Sequence, residues 1–281
     1  MTSSVPSLLS RVRDQLHELP PTERRLADLV LDFPGELASY SASELASLAN
    51  VSNATVSRFI RRIGYENYDE ARRHAREEKG SGSPLFLAAV KPAADAGLVE
   101  AHEQQSHANL AATFNRISEA MVTEVAEAIL AARKVRLVGY RNSHFLANYL
   151  RWQLIQVREY TSVIPGAGET VGEYLAGISH FDCLIIFALR RRVPQLARIA
   201  EHAAKVGAKT LYITDQTFPT DPIPVTWLIR CDTQAPSPLD NHVAVLALCH
   251  LLAARVLELA GPAGRRRLTA IEAAHDTLEE L

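Results

Sequence analysis

Five short, continuous apolar runs, each parted from the next by a stretch that is not strand-like, set the tightest limit on how this chain folds. They are KVRLVGY at 134–140, TSVIP at 161–165, DCLIIFAL at 182–189, KTLYITD at 209–215 and VTWLIRC at 225–231. Runs of this length without period-two alternation are buried on both faces, and strands that alternate with helices run parallel. Helical segments open near Ser143, Glu169, Pro194 and Pro238. The expectation is an α/β domain, a parallel sheet with helices on both faces, over 98–262. It is led by an alanine-rich helical region at 98–132, with Leu110, Phe114, Ile117 and Met121 on a shared face, and followed by a helical tail at 263–281.

Residues 1–78 follow another grammar, that of short helices. Val5, Leu8, Val12 and Leu16 fall at helical spacing before Pro20-Pro21. Thr22 caps a helix carrying Leu26, Leu29, Val30 and Phe33 on one face. Ser41 and Glu44 stand in capping-box spacing, and residues 67–79 form a charged helix. The KGSGSP run at 79–84, extended by Pro92 and Gly97, has the composition of a linker and separates the two parts over 79–97.

Within the helical part, SELASLANVSNATVSRFIRRIG at 43–64 carries chemistry. Leu45, Ala46 and Leu48 form an inner face, Asn50 sits where the turn wants a left-handed residue, and Val51 plugs the gap between two helices. Ser52 is an N-cap, Val56, Ile60 and Ile63 face inward, and Gly64 ends the helix. Ser52, Asn53, Thr55, Ser57, Arg58, Arg61 and Arg62 are the candidate DNA-binding residues, because hydroxyls, amides and arginines on one helix face reach base edges and phosphates from a major groove. The first 80 residues hold 11 bases and 12 acids, yet 51–65 hold three arginines and no acid, so positive charge is focused on that helix.

The whole chain carries a net charge of −2, which excludes a surface basic throughout but not a local basic site. Three cysteines, Cys183, Cys231 and Cys249, lie far apart in apolar runs, as reduced buried thiols do. The apolar stretch near 243–254, broken by His250, falls short of a membrane span, and no signal pattern opens the chain. A cytoplasmic protein without a membrane partner is expected.

In a parallel α/β sheet ligands bind at the carboxyl ends of the strands. Two loops there are suited to an anion: Gly139, Arg141, Asn142 and Ser143 after the first strand, and Arg190, Arg191 and Arg192 after the third. These seven are the candidate effector-binding residues. Three adjacent arginines at a helix N-terminus repel one another until an anion binds. The alternative is a solvated or intersubunit role. His144 and Glu169 in different loops do not make a catalytic pair, and His102 and His107, five apart on a helix, do not share a face for a metal. Neither a metal, a cofactor nor a catalytic residue is expected.

PPTERRLADLVLDFPGE, SASELASLANVSNATVSRFIRRIGY and YDEARRHAREE resemble the helix-turn-helix domain of the RpiR (ribose phosphate isomerase repressor) family of bacterial transcription regulators. Residues from about 120 to 260 resemble its sugar isomerase (SIS) domain. The resemblance implies an α/β sandwich that senses phosphorylated sugars or related metabolites and dimerises. The family's first loop reads Gly-x-Gly-x-Ser; Gly139 and Ser143 match, and Arg141 replaces the second glycine. Its second loop reads Ser-x-Ser-Gly-x-Thr, where Ala188, Arg190, Arg191 and Val193 stand here without a hydroxyl. The reading is therefore a DNA-binding regulator that senses a small anionic metabolite, a sugar phosphate or another organic anion. Its partners are a double-stranded operator and copies of itself, as a homodimer or a dimer of dimers. The rival reading, a sugar-phosphate isomerase with an accessory helical domain, has no use for the recognition helix.

Overall fold

The computed structural model describes residues 6–32, 34–80, 97–218, 223–236 and 239–280. They fall in two compact units, Met1–Ala96 with Pro236–Leu239, and Gly97–Ala235 with Asp240–Leu281. Val5, Phe33, the helix start expected at Pro238 and most of the expected linker, 81–96, lie outside the described residues.

The first unit is helical: α1 (Leu8–Gln15), α2 (Pro21–Asp32), α3 (Pro34–Ser39), α4 (Ala42–Leu48), α5 (Asn53–Arg62) and α6 (Tyr68–Gly80). Leu8, Val12, Leu26, Val30, Leu45 and Val56 meet in its core. Helix α2 starts at Pro21, so Thr22 lies in its first turn instead of capping it. Proline suits that first position because its missing N–H would have no partner there. The expected capping box is present: Ser41 N donates to Glu44 Oε2 at 2.7 Å and Glu44 N to Ser41 Oγ at 3.3 Å. The backbone N–H of Ser41 also holds the Glu44 carboxyl below its usual range.

The second unit holds a five-stranded, all-parallel sheet in the order β2-β1-β3-β4-β5. The strands are β1 (Val135–Gly139), β2 (Thr161–Val163), β3 (Cys183–Ala188), β4 (Lys209–Asp215) and β5 (Trp227–Cys231). Leu137, Ile185 and Phe187 face one apolar layer with α8 (Glu119–Ala131), α9 (Asn142–Ile155) and α12 (Val243–Leu278). Val138, Leu184 and Ile186, one residue out of phase, face a second layer with α11 (Gln195–Lys205). A short helix, α10 (Gly172–Leu175), stands where Glu169 was expected to open one. All three cysteines are buried; burial pushes the Cys183 and Cys231 thiols up to about 12 and raises Cys249 as well.

Two parts of this unit depart from the sequence reading. The 98–132 region is two helices, α7 (Leu98–Phe114) and α8, and the buried residues of α7 are polar, Asn109 and Thr113. Asn109 Nδ2 donates to the Gln234 carbonyl at 2.7 Å, Thr113 Oγ1 accepts from Asp232 N at 2.9 Å, and Asn241 Nδ2 donates to Ser106 Oγ at 2.9 Å. Helix α7 is therefore stitched by hydrogen bonds to Asp232, Gln234 and Asn241. Helix α12 runs on through a kink at Gly261 (φ 52°) and Pro262, and its composition over 18 residues, mean hydropathy 2.0, does suffice for a membrane span. One side of it packs into the domain core, where Leu248, Leu252 and Val256 are fully buried, and 33% of that stretch is buried in all.

Gly139 closes β1 where a Cβ would lie 2.3 Å from the Ser143 carbonyl oxygen, so the first turn of α9 can approach only a glycine. Gly139→Ala should cost about 1–3 kcal/mol through forced backbone displacement. Urea unfolding of the full chain measures it, and an unchanged midpoint contradicts the close approach.

Candidate functional site

Helices α4 and α5 meet through a turn whose geometry follows from three residues. Asn50 takes φ 52°, Val51 packs on the core, and Ser52 Oγ accepts from Thr55 N at 3.2 Å to cap α5. Gly64, at φ 88°, ends the helix. Val56, Phe59 and Ile60 anchor its inner face; Phe59, fully buried, extends the predicted set.

Ser52, Asn53, Ser57, Arg58, Arg61 and Arg62 are exposed on the outer side. Thr55 is not: only 5% of it is accessible. Its Oγ1 lies 2.9 Å from Ser52 Oγ and accepts from Arg58 Nη2 at 3.3 Å, so it braces the cap and Arg58 from below. Arg62 is exposed but engaged, its Nε donating to Glu23 Oε2 of α2 at 2.8 Å, with Glu23 itself buried. Leu48, expected inside, is 54% exposed, because α4 ends as it turns toward Asn50. Arg25 Nη1 reaches the Asn50 carbonyl at 3.4 Å and Asn53 Nδ2 reaches Ser43 Oγ at 3.3 Å. No local sequence pattern announces contacts between residues so far apart. The outer face of α5 carries no acid, and Ser57, Arg58 and Arg61 are exposed on it.

In the second unit the chain leaves β1 toward one side of the sheet and β3 toward the other, the topology that in open parallel sheets places a ligand crevice at the strands' carboxyl ends. Both loops at that crevice carry an arginine on left-handed backbone, Arg141 at φ 58° and Arg191 at φ 65°, and both are exposed. Ser143 is buried in the first turn of α9, and Asn142 is exposed beside it.

The expected cluster of three mutually repelling arginines is not what forms. Arg190 Nε lies 3.0 Å from Asp240 Oδ1 and 3.2 Å from Oδ2. Arg192 turns inward: it donates to the Ala188 carbonyl at 2.8 Å, Thr214 Oγ1 at 3.1 Å, Asp215 Oδ1 at 2.7 Å and Thr217 Oγ1 at 3.0 Å. Two of the three positive charges therefore have acid partners in the chain itself. Asp215 also accepts from Thr217 N at 2.8 Å and so shapes the turn after β4. Burial raises the Asp240 carboxyl and lowers the His242 imidazole. Glu169 accepts from Gly166 N at 2.9 Å and from the Tyr174 hydroxyl, so it serves its own loop.

Between the starts of α9 and α12 lies a cavity of about 310 Å³, lined by Asn142, Phe145, Leu146, His242, Val243 and Leu246. Of the candidate effector residues only Asn142 lines it. His242 and the apolar wall escaped the sequence reading, since a histidine before an apolar helix has no distinguishing spacing.

An exposed basic recognition helix in one unit and a crevice at the carboxyl edge of a parallel sheet in the other define a DNA-binding protein with a ligand-sensing domain. Residues 7–80 match the helix-turn-helix domain of the rpiR family, and residues 128–255 match the SIS domain. The chain belongs to the RpiR family of helix-turn-helix transcriptional regulators. It is 25% identical over 258 residues to the HTH-type transcriptional regulator HexR of Pseudomonas aeruginosa, covering 89% of each chain. The sugar isomerase domain of an RpiR transcription factor from Sphaerobacter thermophilus superposes with a TM-score of 0.57 at 22% identity, over 61% of this chain and 96% of that one. The NanR protein of Vibrio vulnificus, solved with ManNAc-6P, superposes with a TM-score of 0.56 at 18% identity, over 97% and 99%.

Two stability measurements check this geometry. Arg62→Ala strands the buried Glu23 carboxylate and should cost about 1–3 kcal/mol; adding Glu23→Ala should return part of it, a coupling of at least ~0.5 kcal/mol in a double-mutant cycle. Strict additivity contradicts the pairing. Arg141→Gly relieves a left-handed residue and should stabilise the chain by about 1 kcal/mol, read from its unfolding midpoint, whereas a destabilised variant contradicts the strain.

Proposed function

We propose that this regulator binds a near-palindromic double-stranded operator through α5 and responds to a small organic anion held in the cavity at the sheet's carboxyl edge. The observation that carries the first half is the outer face of α5, where Ser57, Arg58 and Arg61 are exposed over the fully buried Val56, Phe59 and Ile60. Supporting the second half are the crevice between β1 and β3, its two exposed arginines on left-handed backbone, and NanR's solved complex with a sugar phosphate.

The remaining parts follow from the same residues. A homodimer, or a dimer of dimers, would cover the apolar side chains that α9 and α12 leave exposed away from the cavity, Trp152 and Leu257. It would present two recognition helices about 34–36 Å apart or a multiple of that. A sensor, not an enzyme, suits a carboxyl edge whose acids Asp215 and Asp240 are each paired with an arginine and so poorly placed as general bases. A DNA-binding regulator of this family with buried thiols works in the cytoplasm.

Operators selected from random duplexes by the full chain supply the test. Arg58→Ala should lose about 1–3 kcal/mol of sequence discrimination, and Arg61→Ala should weaken all duplexes alike and lower the salt slope by about one. Unaltered affinity and slope in both variants would sink the assignment of α5.

A further inference from the structure

We propose that the end of α12 beyond its kink is a homotypic contact, pairing antiparallel with the same helix of a second copy of this chain. This surface is separate from that of Trp152 and Leu257, and the inference does not rest on the pairing of those residues. Gly261 leaves helical backbone at φ 52° and Pro262 starts the helix afresh, so residues 262–278 form a helix of their own. Its ties to the rest of the unit lie near its start. Gly264 is buried beside Val157, and Arg267 Nε donates to the Ile155 carbonyl at 3.0 Å. Beyond Arg267, the hydrogen bonds and ion pairs among the described residues stay within the tail, as between His275 Nδ1 and Glu280 Oε2 at 2.8 Å.

Leu268, Ile271, His275 and Leu278 recur at intervals of three, four and three, which sets them on one helix face. Among the described residues the three apolar members join neither apolar layer of the sheet, and Leu278 is 64% exposed. On a helix that otherwise packs only at its start, such a face is the seam of a two-helix contact. Run antiparallel about Ala273, the stripe matches itself: Leu268 of one copy meets Leu278 of the other, and Ile271 meets His275.

Charge decides both the direction and the occupant. Arg265, Arg266 and Arg267 open the helix, Glu272, Asp276, Glu279 and Glu280 close it, and all but Arg267 are exposed. That order opposes the helix dipole, whose positive end lies at the N-terminus, so these charges do not serve the isolated helix. A parallel copy would set arginine against arginine and acid against acid. An antiparallel copy sets each basic end beside an acidic one, with Arg265 level with Glu279, and brings acids to the positive end of the neighbouring dipole. A helix complementary to itself in both charge and apolar pattern fits its own twin. The contact is isologous, so every pair is made twice.

Sedimentation velocity of the full chain over a concentration series tests the contact, with unfolding midpoints to show that each variant keeps its fold. Leu268→Asp with Ile271→Asp should weaken association at least about tenfold, since both put a charge in the seam. Arg265→Glu alone and Glu279→Arg alone should each weaken it at least about threefold, because each turns two attractions into repulsions. Both together in one chain should restore it. Mild oxidation of a mixture of Leu268→Cys and Leu278→Cys chains should link the two variants to one another and neither to itself. Association that Leu268→Asp with Ile271→Asp leaves unaltered overturns the contact, even where Trp152→Asp lowers it and so upholds pairing through α9 and α12. A double charge reversal that fails to restore association, or disulfides formed within either cysteine variant alone, overturns the antiparallel order.

Discussion

A parallel sheet covered on both faces has few places left for polar chemistry, and the carboxyl edge is the one where helices begin. In this chain β3 is apolar and buried throughout, β1 and β4 are buried over most of their length, and polar residues follow at that edge. The guanidinium of Arg192 organises what gathers there. By bonding the Ala188 carbonyl, Thr214, Asp215 and Thr217 it ties the end of β3 to the end of β4 and to the turn that follows. The cavity lies between the starts of α9 and α12, and four of its six lining residues are hydrocarbon.

The helix-turn-helix unit shows the same division between arginines that hold the fold and arginines that face outward. Arg62 leans on buried Glu23, and Arg11 donates to the Gly64 carbonyl at 2.8 Å just past the end of the recognition helix. These contacts fix the angle at which α5 is presented. Arg58 and Arg61 project from that fixed frame, and Thr55 beneath Arg58 gives it a preferred orientation. Preorganisation of this kind lowers the entropy lost when a side chain meets a base edge.

Much of this was readable from local pattern. Apolar runs located all five strands, the Ser41–Glu44 spacing announced a capping box, and asparagine at position 50 announced a left-handed turn, because each depends on neighbours within a few residues. The site was less readable because its pairings are remote. Arg190 finds Asp240 and Arg192 finds Asp215 across intervening elements, and nothing near 190–192 signals either acid. The start of α12, the polar stripe of α7 and the part played by His242 belong to the same class. A helical wheel shows which residues share a face, but whether Asn109 and Thr113 are buried depends on a loop more than a hundred residues later.

That stripe has a mechanical consequence. Two helices or a helix and a sheet in apolar contact can slide by fractions of an ångström with little loss, because dispersion forces have no preferred direction. Hydrogen bonds are narrow in distance and angle, so Ser106, Asn109 and Thr113 cannot slip past Asp232, Gln234 and Asn241 without losing a bond. Asn241 directly precedes His242 at the cavity wall, and α7 is the first described helix after residue 96. Helix α7 and these three residues therefore move as one part, in the manner of meshed teeth and not of greased plates.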